Sequence, residues 1–222
     1  MFTLYHFSLC PFSRQTRLLL NEMGIEFNCF EEKYWEYNLS FAKLNPAMEV
    51  PVLIDSANMP VASINAILEY LLEYTENSKL FSNDMYEKAE IRRLVSWFNE
   101  KFHTEVTKLI LNERIIRFYT SGGEPNSEFL RIAKFNLNYH LDYLSHLLNN
   151  RRWIAGEQLT IVDFIAASHL SVLDYLGNIQ WNYSEIVKEW YSVIKSRPSF
   201  RDILTDRISG FMPTKHYYNL DF

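Results

Sequence analysis

Leu159-Thr160-Ile161-Val162-Asp163-Phe164 is the stretch on which the reading of this chain turns. Thr160 is placed to cap a helix. Asp163, three residues on, can return a hydrogen bond to the cap amide, a short-chain form of the capping box. Leu159 and Phe164 fill the two positions of a hydrophobic staple. The body that follows (Phe164, Ile165, Ala166, Ala167, Leu170, Val172, Leu173) is apolar nearly all round, as in a helix at the centre of a bundle. Such a start reads as a folding anchor rather than a reactive site. The helical pattern continues on both sides. Residues 85–118 form a long amphipathic stretch carrying Ile91, Leu94, Val95, Phe98, Phe102, Val106, Leu109 and Ile110. Gly122-Gly123-Glu124-Pro125 breaks it, and residues 127–149 form a second long helix. Shorter helices are expected at about 184–196 and 199–205, and Ser209 to Phe222 reads as an irregular tail.

Before residue 84 the pattern differs. Phe2 to His6 is a short β-prone run, and Arg14 to Met23 reads as a helix with Gly24 closing it. Ile25 to Phe30 alternates like a strand. Residues 33–47 are loop-like. Val50 to Ile54 is a strand with Pro51 at its start, where a missing N–H is tolerable. Met59 to Ala62 suggests a fourth strand, and a helix starts at Ser63. The polar run 75–84 takes the domain boundary. The expected organisation is an α/β layer over 1–78, a linker at 79–84, an all-α domain over 85–208 and a tail at 209–222.

Composition excludes several classes. The chain has 222 residues, 48% hydrophobic and 22% charged, which rules out an intrinsically disordered polypeptide. A net charge of −5 argues against a dedicated nucleic-acid binder. Mean hydropathy is −0.19 and no run approaches the ~20 apolar residues of a membrane span, so no membrane partner is expected. The start, Met1-Phe2-Thr3-Leu4-Tyr5-His6, has no basic leader pattern. Two cysteines, Cys10 and Cys29, suit a reduced cytoplasmic protein rather than a disulfide scaffold. The 6 histidines form no metal-ligand spacing, so no metal is expected. No glycine-rich phosphate loop and no nucleophile elbow occur.

Two local constellations can carry chemistry. Cys10-Pro11-Phe12-Ser13 lies at a helix N-terminus, where the dipole and free amides favour a thiolate. Cys10 is therefore either a redox or conjugating thiol or a tolerated small turn residue. Ser13 is either a hydroxyl that could bond a ligand thiolate or a plain helix cap. In Glu49-Val50-Pro51-Val52, a cis proline would turn the Val50 backbone outward to pair with an extended ligand; otherwise Pro51 only starts the strand.

Taken together, these pieces resemble the glutathione S-transferase superfamily. The likeness is carried by Ser8-Leu9-Cys10-Pro11-Phe12-Ser13-Arg14, Asn45-Pro46-Ala47, Glu49-Val50-Pro51-Val52-Leu53, Ala66-Ile67 with Tyr70-Leu71, and the Leu159–Phe164 stretch. It implies a thioredoxin-like N-terminal domain and a helical C-terminal domain, a cis Pro51, a Val50 backbone that holds the cysteinyl part of glutathione, and a homodimer. One departure bears on function. Family members that bind glutathione place an acidic residue and then a serine where this chain has Ser63 and Ile64. Losing two charge-assisted hydrogen bonds at ~1.5–3 kcal/mol each weakens binding by about two to four orders of magnitude. Helix N-terminal amides could still contact a ligand carboxylate.

Two branches of the superfamily compete. Cys10-Pro11-Phe12-Ser13 is similar to the thiol motif of omega-type transferases and dehydroascorbate reductases, which implies glutathione as cosubstrate and catalysis through Cys10 or Ser13. Ser13-Arg14-Gln15-Thr16-Arg17, the Trp35-Glu36 loop, the run from His169 to Tyr175, Lys195 to Pro198, Leu204 to Arg207, and the tail resemble a non-catalytic branch that binds the division protein FtsZ. That resemblance implies no cofactor, FtsZ as partner, and a place at the division site. The expected partner-binding anchors are Trp35, Glu36, Tyr217, Tyr218, Leu220, Asp221 and Phe222.

Overall fold

The computed structural model describes residues 1–75 and 79–220. Its first layer opens with β1 (Phe2–His6), whose alternate residues Phe2, Leu4 and His6 are buried as a strand with one covered face requires. Next comes α1 (Pro11–Glu22), with Pro11 in the first turn where its missing N–H costs nothing. Then follow β2 (Phe27–Glu31), a 3-10 turn (Tyr34–Glu36), α2 (Leu39–Leu44), β3 (Val52–Ile54), β4 (Pro60–Ala62) and α3 (Ile64–Tyr74). The strands pair in the order β2-β1-β3-β4, with β1 parallel to β2 and the other neighbours antiparallel. The segment 33–47, expected as loop, contains α2. Asn38 caps that helix by accepting the Ser40 amide at 3.0 Å, a side-chain signal that apolar periodicity does not register.

The second layer is helical. α4 (Met85–Ser96) starts on Asp84, which accepts the amides of Tyr86 and Glu87. It runs on without a break through a π-helical stretch (Trp97–Thr107), α5 (Lys108–Leu111), a second π stretch (Asn112–Ile116) and α6 (Arg117–Tyr119). α7 (Ser127–Asn150), α8 (Ile161–Tyr175), α9 (Glu185–Lys195) and α10 (Arg201–Leu204) follow. Every residue of α8 is buried. Its start has the expected reciprocal cap: Asp163 accepts the Thr160 amide at 3.0 Å, and also the Ile154 amide at 3.1 Å and the Trp190 indole at 3.0 Å. The boundary expected at 75–84 falls in part on residues 76–78, outside the described ones.

α1 joins the two layers. It packs on α8 and the Pro198–Phe200 turn of the second layer and on α3 of the first, so Pro11 and all of Ser13 to Leu20 are buried. Polar contacts reinforce this seam. Arg17 makes two hydrogen bonds to Asp206, at 2.9 and 3.0 Å, and Arg197 pairs with Glu22. The tail is not the irregular appendage expected of 209–222. Ile208 bridges to Phe211, Lys215–Tyr218 forms a 3-10 turn, and Tyr217 is fully buried.

Candidate functional site

Cys10 is the extended residue from which α1 springs, and its carbonyl accepts the Arg14 amide. The thiol lies 3.7 Å from the Val50 carbonyl, to which it donates. The Val50–Pro51 peptide is cis, as the resemblance implies. Cys10 is only 8% exposed, and this burial raises its pKa against the opposing pull of hydrogen bonds from Ser13 and the Phe12 amide. The helix N-terminus therefore does not produce a thiolate here. Ser13 is fully buried, and its hydroxyl accepts the Phe7 amide at 3.2 Å, fixing the turn between β1 and α1.

A cleft of about 320 Å³ opens between the domains at this point. Cys10, Phe12, Tyr34, Glu49 and Val50 form one wall, and His103, Lys108, Leu111 and Asn112 form the other. Burial and the nearby Lys108 charge hold His103 down to about 4, so its imidazole is neutral at pH 7. The structure thus brings Cys10 and Val50 together and leaves Ser63 and Ile64 off the cleft walls. Ser63 is exposed, takes a left-handed φ of 75° and makes no side-chain cap; Ile64 opens α3 half-buried. Neither presents a charge to a ligand.

Tyr34, Glu49 and the wall from the second domain were not legible in the sequence. His103 and Lys108 are five residues apart, which in an α-helix sets them about 140° apart around the axis. The π-helical winding of this stretch closes that angle and lets both line one wall. Periodicity counted at 3.6 residues per turn cannot find such a pair.

The expected partner anchors divide. Trp35 is half-buried, edge-on to Phe7 at 5.0 Å and stacked on Tyr119 at 5.3 Å. Glu36 is exposed and pairs with Lys33 at 3.2 Å. Tyr119 in turn donates its hydroxyl to the Ser209 carbonyl at 2.8 Å and meets Phe211 edge-on, so a chain of aromatic contacts connects the Trp35 loop to the start of the tail. Tyr217 is not a surface anchor. Its hydroxyl accepts from Arg14 at 3.1 Å and donates to the Ile203 carbonyl at 3.2 Å, because the buried guanidinium needs an acceptor there. Tyr218 and Leu220 are exposed, with the Arg207 guanidinium 4.6 Å from the Tyr218 ring centre. Asp221 and Phe222 lie outside the described residues. Among the described residues there is no cluster of metal ligands and no helix long and apolar enough to cross a membrane.

Comparison with known proteins agrees with this architecture. The family model for the glutathione S-transferase N-terminal domain matches residues 9–73, and that for the C-terminal domain matches residues 111–207. FtsZ-localized protein A of Caulobacter vibrioides is 41% identical over 99% of this chain and 98% of its own length. The solved structure of FzlA from C. crescentus superposes with a TM-score of 0.97 at 41% identity, covering 100% of this chain and 99% of that one. A glutathione S-transferase from Rhodospirillum rubrum F11 does so with a TM-score of 0.97 at 42% identity, covering 100% of both chains.

Proposed function

The chain belongs to the glutathione S-transferase family, and from that premise we propose that it is a non-catalytic member that binds FtsZ filaments and regulates cell division. The observation that carries this reading is the full-length likeness to a relative named for its localisation with FtsZ. The site supports it chemically. Burial favours the protonated Cys10, whose thiol donates to the Val50 carbonyl, and Ser63 and Ile64 supply no charge for a γ-glutamyl end. Trp35, Glu36, Tyr218 and Leu220 are the described residues left to meet a partner, together with Asp221 and Phe222 of the tail. The reading places the protein in the cytoplasm at the division site, as a homodimer. Phe129, Ile132, Phe135 and Tyr139, which remain exposed along α7, offer that dimer an apolar face.

Co-sedimentation with FtsZ polymers tests the proposal: enrichment in the pellet supports it, and none at micromolar protein counts against it. Sedimentation equilibrium should give twice the 26.5 kDa chain mass. The competing reading, a glutathione-dependent thiol transferase acting through Cys10 or Ser13, draws on the cis Pro51 and the cleft beside Cys10. Alkylation followed by mass spectrometry separates the two. The exposed Cys29 should react in the native protein, and Cys10 only after unfolding. Fast native alkylation of Cys10 near neutral pH, with glutathione bound in calorimetry, would favour the enzyme.

A further inference from the structure

We propose that the free edge of β2 takes up an extended segment of a partner protein as a fifth strand of the sheet, and that this segment alternates basic and apolar side chains. β2 is the outermost strand on the side of β1. The Phe2 amide donates to the Glu26 carbonyl at 3.3 Å, and the Glu32 amide donates to the His6 carbonyl at 2.7 Å. Backbone groups alternate in direction along a strand, so residues 26, 28, 30 and 32 serve β1. Phe27, Cys29 and Glu31 turn their amides and carbonyls outward, and among the described residues none of these groups has a partner.

Sheet edges are ordinarily blunted by proline, lysine, a bulge or a covering element. Phe27-Asn28-Cys29-Phe30-Glu31 has no proline and no lysine, and its register with β1 runs through all five pairs without a bulge. From Asn28 to Glu31 every residue is exposed, Phe30 to 52%. Such an edge is a template for an added strand, whose main-chain bonds supply affinity and whose alternate side chains supply specificity.

The two faces of the strand set that specificity. On the α1 side, Phe27 and Cys29 border a groove of about 780 Å³, with Arg17 and Asn21 of α1, Asp202 of α10 and Thr205 across from them. Arg17 is neutralised there by its two bonds to Asp206. Burial and the Arg17 and Arg14 charges hold His6 down to about 3, so it does not neutralise Glu31. The exposed carboxylates of Glu26, Glu31 and Asp202 remain, against the Met1 amine. A basic side chain is the matching occupant. On the other face Phe30 stacks on Tyr5 with ring centres 5.7 Å apart and offers an aromatic shelf to an apolar residue. The same charges argue against a second copy of this chain, since self-pairing would set one acidic edge against another. This surface needs neither FtsZ nor glutathione, so it stands or falls apart from the proposed function.

The test is a titration of the full-length, isotope-labelled protein with an eight-residue peptide of alternating lysine and valine, blocked at both ends. Two control peptides carry glutamate in place of lysine, or methyl groups on alternate backbone nitrogens. The lysine–valine peptide should give saturable shifts over residues 27–31 and slow the amide exchange of Phe27, Cys29 and Glu31. Both controls should bind at least about tenfold more weakly, the step for one lost charge-assisted hydrogen bond. Asp202→Asn should weaken the lysine–valine peptide about two- to fivefold, the worth of one exposed ion pair. Cys29→Pro removes an outward amide and no bond to β1, so it should abolish binding and leave the melting temperature nearly unchanged. If that variant fails to fold, the methylated peptide tests the same backbone bonds on the native protein. No saturable shift up to about 1 mM peptide would overturn the proposal. So would equal binding of either control, or slowed exchange confined to another part of the molecule. Slowed exchange of the same three amides at rising protein concentration, without peptide, would also overturn it by giving the edge to a second copy.

Discussion

At the scale of single residues, the buried polar groups decide more than the exposed ones. Arg14 is fully buried and donates to the Ser8 carbonyl at 2.7 Å, the Ser171 hydroxyl at 2.9 Å and the Tyr217 hydroxyl at 3.1 Å. Tyr217→Phe removes the last of these acceptors and the hydroxyl's own bond to Ile203. A loss of about 1–3 kcal/mol in urea unfolding is expected, since a buried charged donor loses a partner. An unchanged midpoint would show that the hydroxyl adds nothing. The histidines set a pH limit. Burial lowers His103 to about 4 and His169 well below its ordinary value, with His103 and His140 adding repulsion at His169. In the unfolded chain both return to about 6.5, so the unfolded state binds more protons at acidic pH. The contribution of His103 is fully present above pH 6.5 and is lost as pH falls through about 4, and burial of His169 adds in the same direction. For His103 alone the interval is worth on the order of 3 kcal/mol at ~1.4 kcal/mol per pH unit. Unfolding curves at pH 7 and pH 4.5 should separate accordingly, and His103→Gln should narrow the gap.

At the scale of elements, α8 repays its conspicuous start. Asp163 accepts the Thr160 amide, the Ile154 amide and the Trp190 indole, so Asp163→Ala would leave three buried donors without a partner. At ~1–3 kcal/mol for each, the loss approaches the whole stability of a domain, and the variant should be largely unfolded by circular dichroism at 37 °C. A well-folded variant would reduce the cap to decoration. The same element shows what a sequence can disclose. Thr160, Asp163 and the apolar body of α8 are short-range signals, and they came out as read. The four strands lie within two residues of their expected ends, the helical run does start at Met85, and Pro51 is cis as the family resemblance implies. The π winding between Trp97 and Thr107 was not legible, because it depends on how that helix is packed rather than on its own periodicity, and Lys108 and Asn112 went unnoticed with it. The burial of Tyr217 was hidden for a related reason: its partner Arg14 lies 203 residues away.

At the scale of the whole molecule, the tail has two parts with different duties. Residues up to Tyr217 are built into the body, while Tyr218 and Leu220 face water. Deleting 216–222 would therefore confound partner loss with damage to the fold. Deleting 218–222 is the clean experiment: co-sedimentation with FtsZ should disappear while the melting temperature moves by no more than about 2–4 °C, the shift that ~1 kcal/mol gives a domain of this size. A large drop in melting temperature would mean that the last residues also brace the body. The seam along α1 has a broader consequence. That helix packs on α8 of the helical layer and on α3 of the first layer, so its burial depends on both parts of the chain. Expressed alone, the second part should expose the apolar α8, and the first part the buried Arg14 and Arg17 of α1 without their partners Ser171, Tyr217 and Asp206. The two layers are therefore expected to unfold together in a single transition, which calorimetry of the full chain checks.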